Sequence, residues 1–128
     1  MNTLQATITS IKRREPLHYL QCQVGKQTIA MLSLQIDRAL SVGSDVLLSV
    51  KSTDIMVTKE QSIVLSSANC LHARVTKVEN GELLSSVILD MEGMALESIM
   101  TQEASQQLAL SAGDVVSVLI KESDVSLC

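Results

Sequence analysis

The chain of 128 residues has a formal net charge of −4, and 46% of its residues are hydrophobic while only 1% are aromatic. Such a chain is poorly suited to nucleic acid, because phosphate contacts need a basic surface and single strands stack on aromatic rings. It contains no apolar run near the roughly 18 residues of a membrane span. We therefore expect no nucleic-acid or membrane partner, and a core of aliphatic side chains and methionine.

The first half of the chain predicts short strands in close succession. Leu4, Ala6 and Ile8 alternate with polar residues, and a period of two is typical of a strand with one buried face. Gly25 and Lys26 interrupt an alternating stretch where a hairpin turn fits. The predicted strands lie around residues 4–8, 21–24, 27–31 and 46–50, with a helical turn over residues 34–39.

The second half predicts the same kinds of element. Asn80-Gly81 is a strong hairpin signal because both residues tolerate a positive φ, and Glu92-Gly93 marks another turn. Thr101 precedes a run rich in Ala, Gln and Glu, which predicts a short helix with Thr101 as its N-cap. The predicted strands lie around residues 71–75, 84–89, 94–100 and 115–120, and residues 57–63 are expected to link the two halves.

The two halves are copies of one unit. Residues 2–11 align with 69–78 at a shift of 67 residues, and residues 40–46 align with 110–116 at a shift of 70. Self-similarity of this kind indicates a duplicated domain. We predict an all-β protein of two tandem OB-like Greek-key β-barrels, each with a short helix. The predicted domains are residues 1–60 and 61–128.

Side chains that commonly carry catalysis or bind metals are few and scattered. The chain has three cysteines and two histidines, with no CxxC pair and no spacing typical of metal ligands. Cys70 and His72 lie two apart on one predicted strand, which assigns neither a nucleophile nor a base. We expect no enzyme activity, no metal site and reduced thiols. Together with an N-terminus unlike a signal peptide, this predicts a cytoplasmic protein.

Polar clusters at the edges of the repeats are candidates for anion binding. One cluster, residues 66–69, comes directly before the first strand of the second copy. The others, residues 51–53 and 121–123, each follow an apolar strand and precede an aspartate. A tetrahedral oxyanion needs several converging donors, which hydroxyls, backbone N–H groups and an ammonium provide without a metal. These residue types are also ordinary at turns and strand ends, so both interpretations stay open here.

At these clusters the sequence resembles the molybdate-binding Mop domains, a branch of the TOBE domains. The family unit opens with Ser-Ala-Arg-Asn-Gln and closes with a Gly-Asp/Glu-x-Val turn, an apolar strand and Ile-Lys-Ala-Ser-Asp/Glu-Val. Residues 65–71 resemble the opening, residues 113–125 the closing segment, and residues 100–110 the intervening Ile-Thr-x-Glu-Ser stretch. The first copy keeps the closing motif at residues 50–55. The resemblance spans essentially the whole chain.

The resemblance implies barrels that bind molybdate or tungstate, with no organic cofactor, at subunit interfaces of a homotrimer. It assigns oxyanion-binding roles to Lys51, Ser52, Thr53, Ser66, Ser67, Asn69, Thr101, Lys121 and Ser123. Three positions depart from the pattern: Ala68 replaces an arginine, Glu122 replaces a small residue, and Met31 stands where the second copy has Thr101. We therefore expect the best site to combine the closing motif of the first copy with the opening motif of the second.

The resemblance leaves two functions. The leading one is binding of molybdate or tungstate for intracellular storage, buffering or sensing. The alternative is a regulatory or structural TOBE-like oligomerisation module without a retained ligand, acting through self-association or a partner protein. Molybdate and tungstate suit the first function equally, because both are dianions of similar size and shape.

Overall fold

The computed structural model of the chain describes residues 1–34, 36 and 38–128, and strands dominate it. The first copy contains β1 (Asn2–Arg14), β2 (Leu17–Val24), β3 (Gln27–Ser33), β4 (Asp45–Val50), a 3₁₀ turn (Ser52–Asp54) and β5 (Met56–Thr58). The second copy contains β6 (Cys70–Asn80), β7 (Leu84–Met91), β8 (Met94–Thr101), α1 (Gln102–Leu108), β9 (Val115–Leu119), a 3₁₀ turn (Glu122–Asp124) and β10 (Val125–Leu127). The predicted all-β class with two OB-like barrels is confirmed.

The alternating sequence places one face of each long strand in the core. Every second residue of β1 from Leu4 to Ile8 is buried, and so is every second residue of β6 from Leu71 to Val75. Successive side chains of a strand point to opposite faces, so this pattern buries the apolar set and exposes the polar one. The buried residues of both copies form a continuous cluster, which gives each small barrel more core than it could build alone.

The duplication extends to irregular features. The register of β1 against β2 shifts directly after Ile8, and that of β6 against β7 shifts directly after Val75, 67 residues later. The Gly43 N–H donates to the Ile8 carbonyl at 2.8 Å. The Gly113 N–H donates to the Val75 carbonyl, also at 2.8 Å. The two copies therefore fold alike even at these irregular positions, as the duplication predicts.

Each sheet takes one edge strand from the other copy. The sheet orders are β10-β4-β1-β2-β3 and β5-β9-β6-β7-β8. In the first sheet Val125 pairs with Val50, and in the second Met56 pairs with Leu119. The exchange covers the outer edges of β4 and β9, which would otherwise expose unpaired backbone groups. The stretch predicted as a linker, 57–63, therefore begins inside a strand.

In the second copy, the predicted turn at Glu92-Gly93 and the predicted helix are confirmed. The chain also reverses after Asn80, but neither Asn80 nor Gly81 has a positive φ, so the two-residue turn predicted there is wrong. Asn80 ends β6 and pairs with Ser85, and the Gly81 N–H donates to the Leu84 carbonyl at 2.8 Å. Glu92 and Gly93 both have positive φ, at 54° and 83°, as a two-residue hairpin turn requires. The Thr101 hydroxyl accepts a hydrogen bond from the Ala104 N–H at 3.1 Å and so caps α1. The helical turn expected over 34–39 includes positions 35 and 37, which lie outside the described residues. None of the helices in the described part of the chain could cross a membrane.

Candidate functional site

The closing motif of each copy forms a 3₁₀ turn between two strands. Lys51 lies directly before the first turn and Lys121 directly before the second. In each turn the aspartate N–H, of Asp54 or Asp124, donates to the lysine carbonyl at 2.9 Å. Both lysine residues are exposed. The backbone thus holds each lysine at a fixed corner and leaves its ammonium free to reach a ligand.

The exchange of strands brings the two closing motifs to a small polar cavity. It has a volume of about 210 Å³, and Lys51 and Ser123, two of the predicted site residues, line it. Ser123 arrives there because β10, which follows it closely, pairs with β4. Asp54 and Asp124 also line the cavity. Since these carboxylates oppose the charge of Lys51, an anion needs further donors to bind here.

Asn69 is buried and joins the two copies. Its side-chain oxygen accepts a hydrogen bond from the Ala30 N–H at 2.7 Å, and its Nδ2 donates to the Ala30 carbonyl at 2.8 Å. Asn2, the matching residue of the first copy, forms the same pair of bonds with the backbone of Glu97, at 2.8 and 2.9 Å. The structure thus places Asn69 in a clamp between β6 and β3, and its contact with an oxyanion stays a prediction.

The opening motif of the second copy lies against the closing motif of the same copy. The Ser67 hydroxyl donates to Glu122 Oε1 at 2.7 Å, and the Ala68 N–H donates to Glu122 Oε2 at 3.2 Å. The Ser67 bond is the main cause that lowers the pKa of Glu122, with smaller contributions from the Ala68 N–H and the Lys121 ammonium. Both oxygens of this carboxylate are therefore held by donors of the second copy.

Ser52 of the first copy is buried and binds a carboxylate from the other copy. Its hydroxyl donates to Glu97 Oε1 at 3.1 Å, and the Ser86 hydroxyl donates to Glu97 Oε2 at 2.7 Å. These two bonds, that of Ser86 first, lower the pKa of Glu97. Asn2 Nδ2 also donates to Ser52 Oγ, at 3.4 Å. Sequence reasoning missed Glu97, because it lies in β8 outside every motif. The two hairpins align at a shift of 67 residues, since Val24 pairs with Gln27 and Met91 pairs with Met94, so Ala30 matches Glu97. The expectation that Met31 matches Thr101 is therefore wrong, because Met31 matches Ser98.

Among the described residues of one chain, no hydrogen bond joins the first copy's closing motif to the second copy's opening motif, so a site that combines them stays a prediction for a contact between chains. In the described residues Ser52 contacts Asn2 and Glu97, whereas Ser67 contacts Ile120 and Glu122. The reason is geometric: the backbone Ile120 N–H donates to the Asn69 carbonyl at 3.2 Å, which fixes the second copy's own closing motif beside its opening motif.

Most of the other predicted donors face solvent. Thr53, Ser66, Lys121 and Ser123 are exposed, as is Lys51, and their side chains form no hydrogen bond within the described residues. Thr101 is also exposed and caps α1. One chain therefore presents several exposed donors that have no partner among its described residues, and two of the predicted set, Lys51 and Ser123, line one cavity.

Cysteine and histidine contribute little to this region. Over residues 1–34, 36 and 38–128, the structure has no group of three or more His, Cys, Asp or Glu side chains arranged to hold a metal ion. The three cysteines are free thiols, and burial raises the pKa of Cys22. Cys70 and His72 form neither a side-chain hydrogen bond nor an ion pair with each other in the described residues.

Comparison with known proteins identifies the unit from which the chain is built. Residues 65–127 match the TOBE domain. The whole chain resembles the crystal structure of the cytoplasmic molybdate-binding protein ModG with molybdate bound, at a TM-score of 0.91 and 26% identity over 98% of this chain and 94% of ModG. The second copy of the unit belongs to the TOBE family. The likeness to ModG spans both copies of the duplicated unit.

Larger proteins carry related sequence. The molybdenum transport protein ModE of Azotobacter vinelandii is 29% identical over 89 residues, which are 69% of this chain and 33% of ModE. The molybdenum import ATP-binding protein ModC of Brucella abortus is 32% identical over 90 residues, which are 70% of this chain and 25% of ModC. The chain thus matches about a third of the first relative and a quarter of the second.

Proposed function

We propose that this chain binds molybdate or tungstate, without an organic cofactor, for storage, buffering or sensing in the cytoplasm. The observation that carries the proposal is the likeness to ModG, a molybdate-binding protein, along 98% of this chain. The names of ModE and ModC also associate them with molybdenum transport and import. Support therefore comes from the whole fold and from the sequence of the unit.

The oxyanion is held, in this proposal, between copies of the chain. A tetrahedral dianion is bound by several donors that converge on it. Among the described residues a single chain brings Lys51 and Ser123 to one cavity and leaves Thr53 and Ser66 facing solvent. A neighbouring chain supplies the missing donors, which makes self-association part of the function. We propose a homotrimer.

Exposed apolar side chains near the donors support this association. Met56, just after the first closing motif, is 63% exposed, and Leu65, just before the opening motif, is 41% exposed. Val64 beside it is fully exposed. Apolar surface of this kind is a common feature of interfaces between chains. Its burial would exclude water from the same region where the donors lie, and this strengthens their attraction for an anion.

The lysines give the site its charge. An ammonium forms charge-assisted hydrogen bonds, which are shorter and stronger than those of neutral donors. The hydroxyls of Thr53, Ser66 and Ser123 donate without adding charge. Because Asp54 and Asp124 line the same cavity as Lys51 and the chain has a net charge of −4, a neighbouring chain has to supply further donors before an anion binds here.

Calorimetric titration with molybdate, tungstate and sulfate tests the proposal. We expect saturable binding of the first two at a fixed ratio of ions to chains, and weaker binding of the smaller sulfate. Light scattering on the same sample should report a trimer. Absence of heat with both molybdate and tungstate would contradict the function, and a monomer that binds molybdate would contradict the interface.

One observation favours a second function. The hydroxyls of Ser52 and Ser67 already donate to carboxylates of the chain, Glu97 and Glu122 respectively. A chain whose donors are satisfied internally can serve as a regulatory or structural TOBE-like oligomerisation module without a ligand. That function predicts an oligomer in light scattering and no heat in any of the three titrations.

A further inference from the structure

The donors of the second copy's opening motif hold a carboxylate of the chain itself. Glu122 Oε1 accepts from the Ser67 hydroxyl at 2.7 Å, and Glu122 Oε2 accepts from the Ala68 N–H at 3.2 Å. The Lys121 ammonium is near enough to favour the charged carboxylate. A hydroxyl, a backbone N–H and an ammonium are the donors that would hold a bound oxyanion. Glu122, which is itself an anion, therefore accepts hydrogen bonds from donors that a bound oxyanion would need.

The first copy treats the matching position differently. Ser52 aligns with Glu122 at the shift of 70 residues, and its hydroxyl is a donor, whereas an ionised carboxylate only accepts. The Ser52 hydroxyl donates to Glu97 of the other copy, at 3.1 Å. The residue at this position thus donates a hydrogen bond in the first copy, where it is Ser52, and accepts two in the second copy, where it is Glu122.

We infer that Glu122 is an internal anion that closes the oxyanion site of the second copy. This inference rests on the proposed function, because it concerns the same donors. A dianion beside an ionised carboxylate is repelled, and it finds the Ser67 hydroxyl and the Ala68 N–H already engaged. Oxyanion binding at this copy requires Glu122 to leave its donors or to lose its charge. The two copies of the chain are therefore unequal in affinity.

The test compares two substitutions at Glu122 with a matched control. Glu122→Ser installs the residue of the first copy, and Glu122→Gln keeps the size of the side chain while removing its charge. Glu82→Ser changes the net charge by the same amount at an exposed residue in the loop between β6 and β7, whose side chain forms no hydrogen bond within the described residues. Each full-length variant is titrated with molybdate after its melting curve shows that it is folded.

We expect Glu122→Ser to bind molybdate about ten- to a hundredfold more tightly at the second copy, the effect of one charge-assisted hydrogen bond. Glu122→Gln should lie between Glu122→Ser and wild type, and Glu82→Ser should match wild type. If Glu122→Ser does not fold, Glu122→Gln is compared with wild type instead, because glutamine has nearly the same size and shape as glutamate.

Each outcome has a distinct meaning. Wild-type binding with no change in either Glu122 variant overturns the inference and leaves the proposed function standing. Binding by a Glu122 variant but not by wild type supports the inference and assigns the native chain to the module without a ligand. If Glu82→Ser gains as much affinity for molybdate as Glu122→Ser, the effect comes from the net charge of the chain, and the inference is overturned. Absence of binding in all proteins overturns both.

Discussion

Asn69 provides the sharpest prediction of stability. Its side chain is 0% exposed and satisfies both backbone groups of Ala30, at 2.7 and 2.8 Å. Asn69→Ala leaves a buried N–H and a buried carbonyl without partners. A buried polar group that loses its partner costs about 1–3 kcal/mol, so we expect a loss of about 2–5 kcal/mol in the free energy of unfolding. For a chain of this size that is a fall of roughly 6–25 °C in Tm.

Thermal and urea unfolding without molybdate measure this effect. Asn2→Ala removes the matching clamp to Glu97 and should cost a comparable amount. Ser66→Ala, at an exposed side chain with no hydrogen bond in the described residues, should stay within about 0.5 kcal/mol of wild type. If Asn69→Ala is as stable as Ser66→Ala, the two hydrogen bonds between Asn69 and Ala30 do not stabilise the fold, and ligand binding is the one predicted role left to Asn69.

Three further predictions concern the site, the contact between the copies and the response to pH. Lys51→Ala should weaken molybdate binding about ten- to a hundredfold in calorimetry, since a charge-assisted hydrogen bond is worth roughly 1.5–3 kcal/mol. Lys121→Ala should weaken it less, because Glu122 already disfavours an anion there, and equal losses would contradict this ranking. Gly25→Ala should lower the Tm, because Gly25 has a φ of +59° and a Cβ there would lie 2.8 Å from the Cβ of Glu92; an unchanged Tm would count against that contact. The folded chain lowers the pKa of Glu122, so its contribution to stability is complete above the ordinary carboxyl pKa and is lost as the pH falls through the lower folded value. Urea unfolding across acidic pH should therefore show a shallower loss in Glu122→Gln, and identical slopes would exclude this contribution.

The strands and turns could be predicted because their causes are local. The alternation from Leu4 to Ile8 sets which face is buried, and Gly93 permits the positive φ of its turn. Thr101 caps α1 because its hydroxyl reaches an N–H three residues ahead. The exchange of edge strands has no such local cause. Met56–Thr58 and Val125–Leu127 are three residues each, and their partners depend on how the two copies pack.

The candidate site was predictable in composition and less so in geometry. The sequence indicates hydroxyls and lysines at the ends of apolar strands, and the structure places Lys51 and Ser123 together. It does not indicate that Asn69 binds the backbone of Ala30, because the two residues are 39 positions apart and meet through packing of the copies. The role of Glu97 could not be predicted for the same reason, since its hydrogen bond to Ser52 joins residues of different copies.

In the proposed function, molybdate is held between copies of the chain by donors of the closing motif. Anomalous diffraction near the molybdenum absorption edge, from crystals grown with saturating molybdate, locates the metal directly. We predict a peak within hydrogen-bonding reach of Lys51 Nζ when one oxyanion oxygen is allowed for, with further donors from a neighbouring chain. Absence of a peak, or a peak surrounded by donors of one chain alone, would rule out a site between chains.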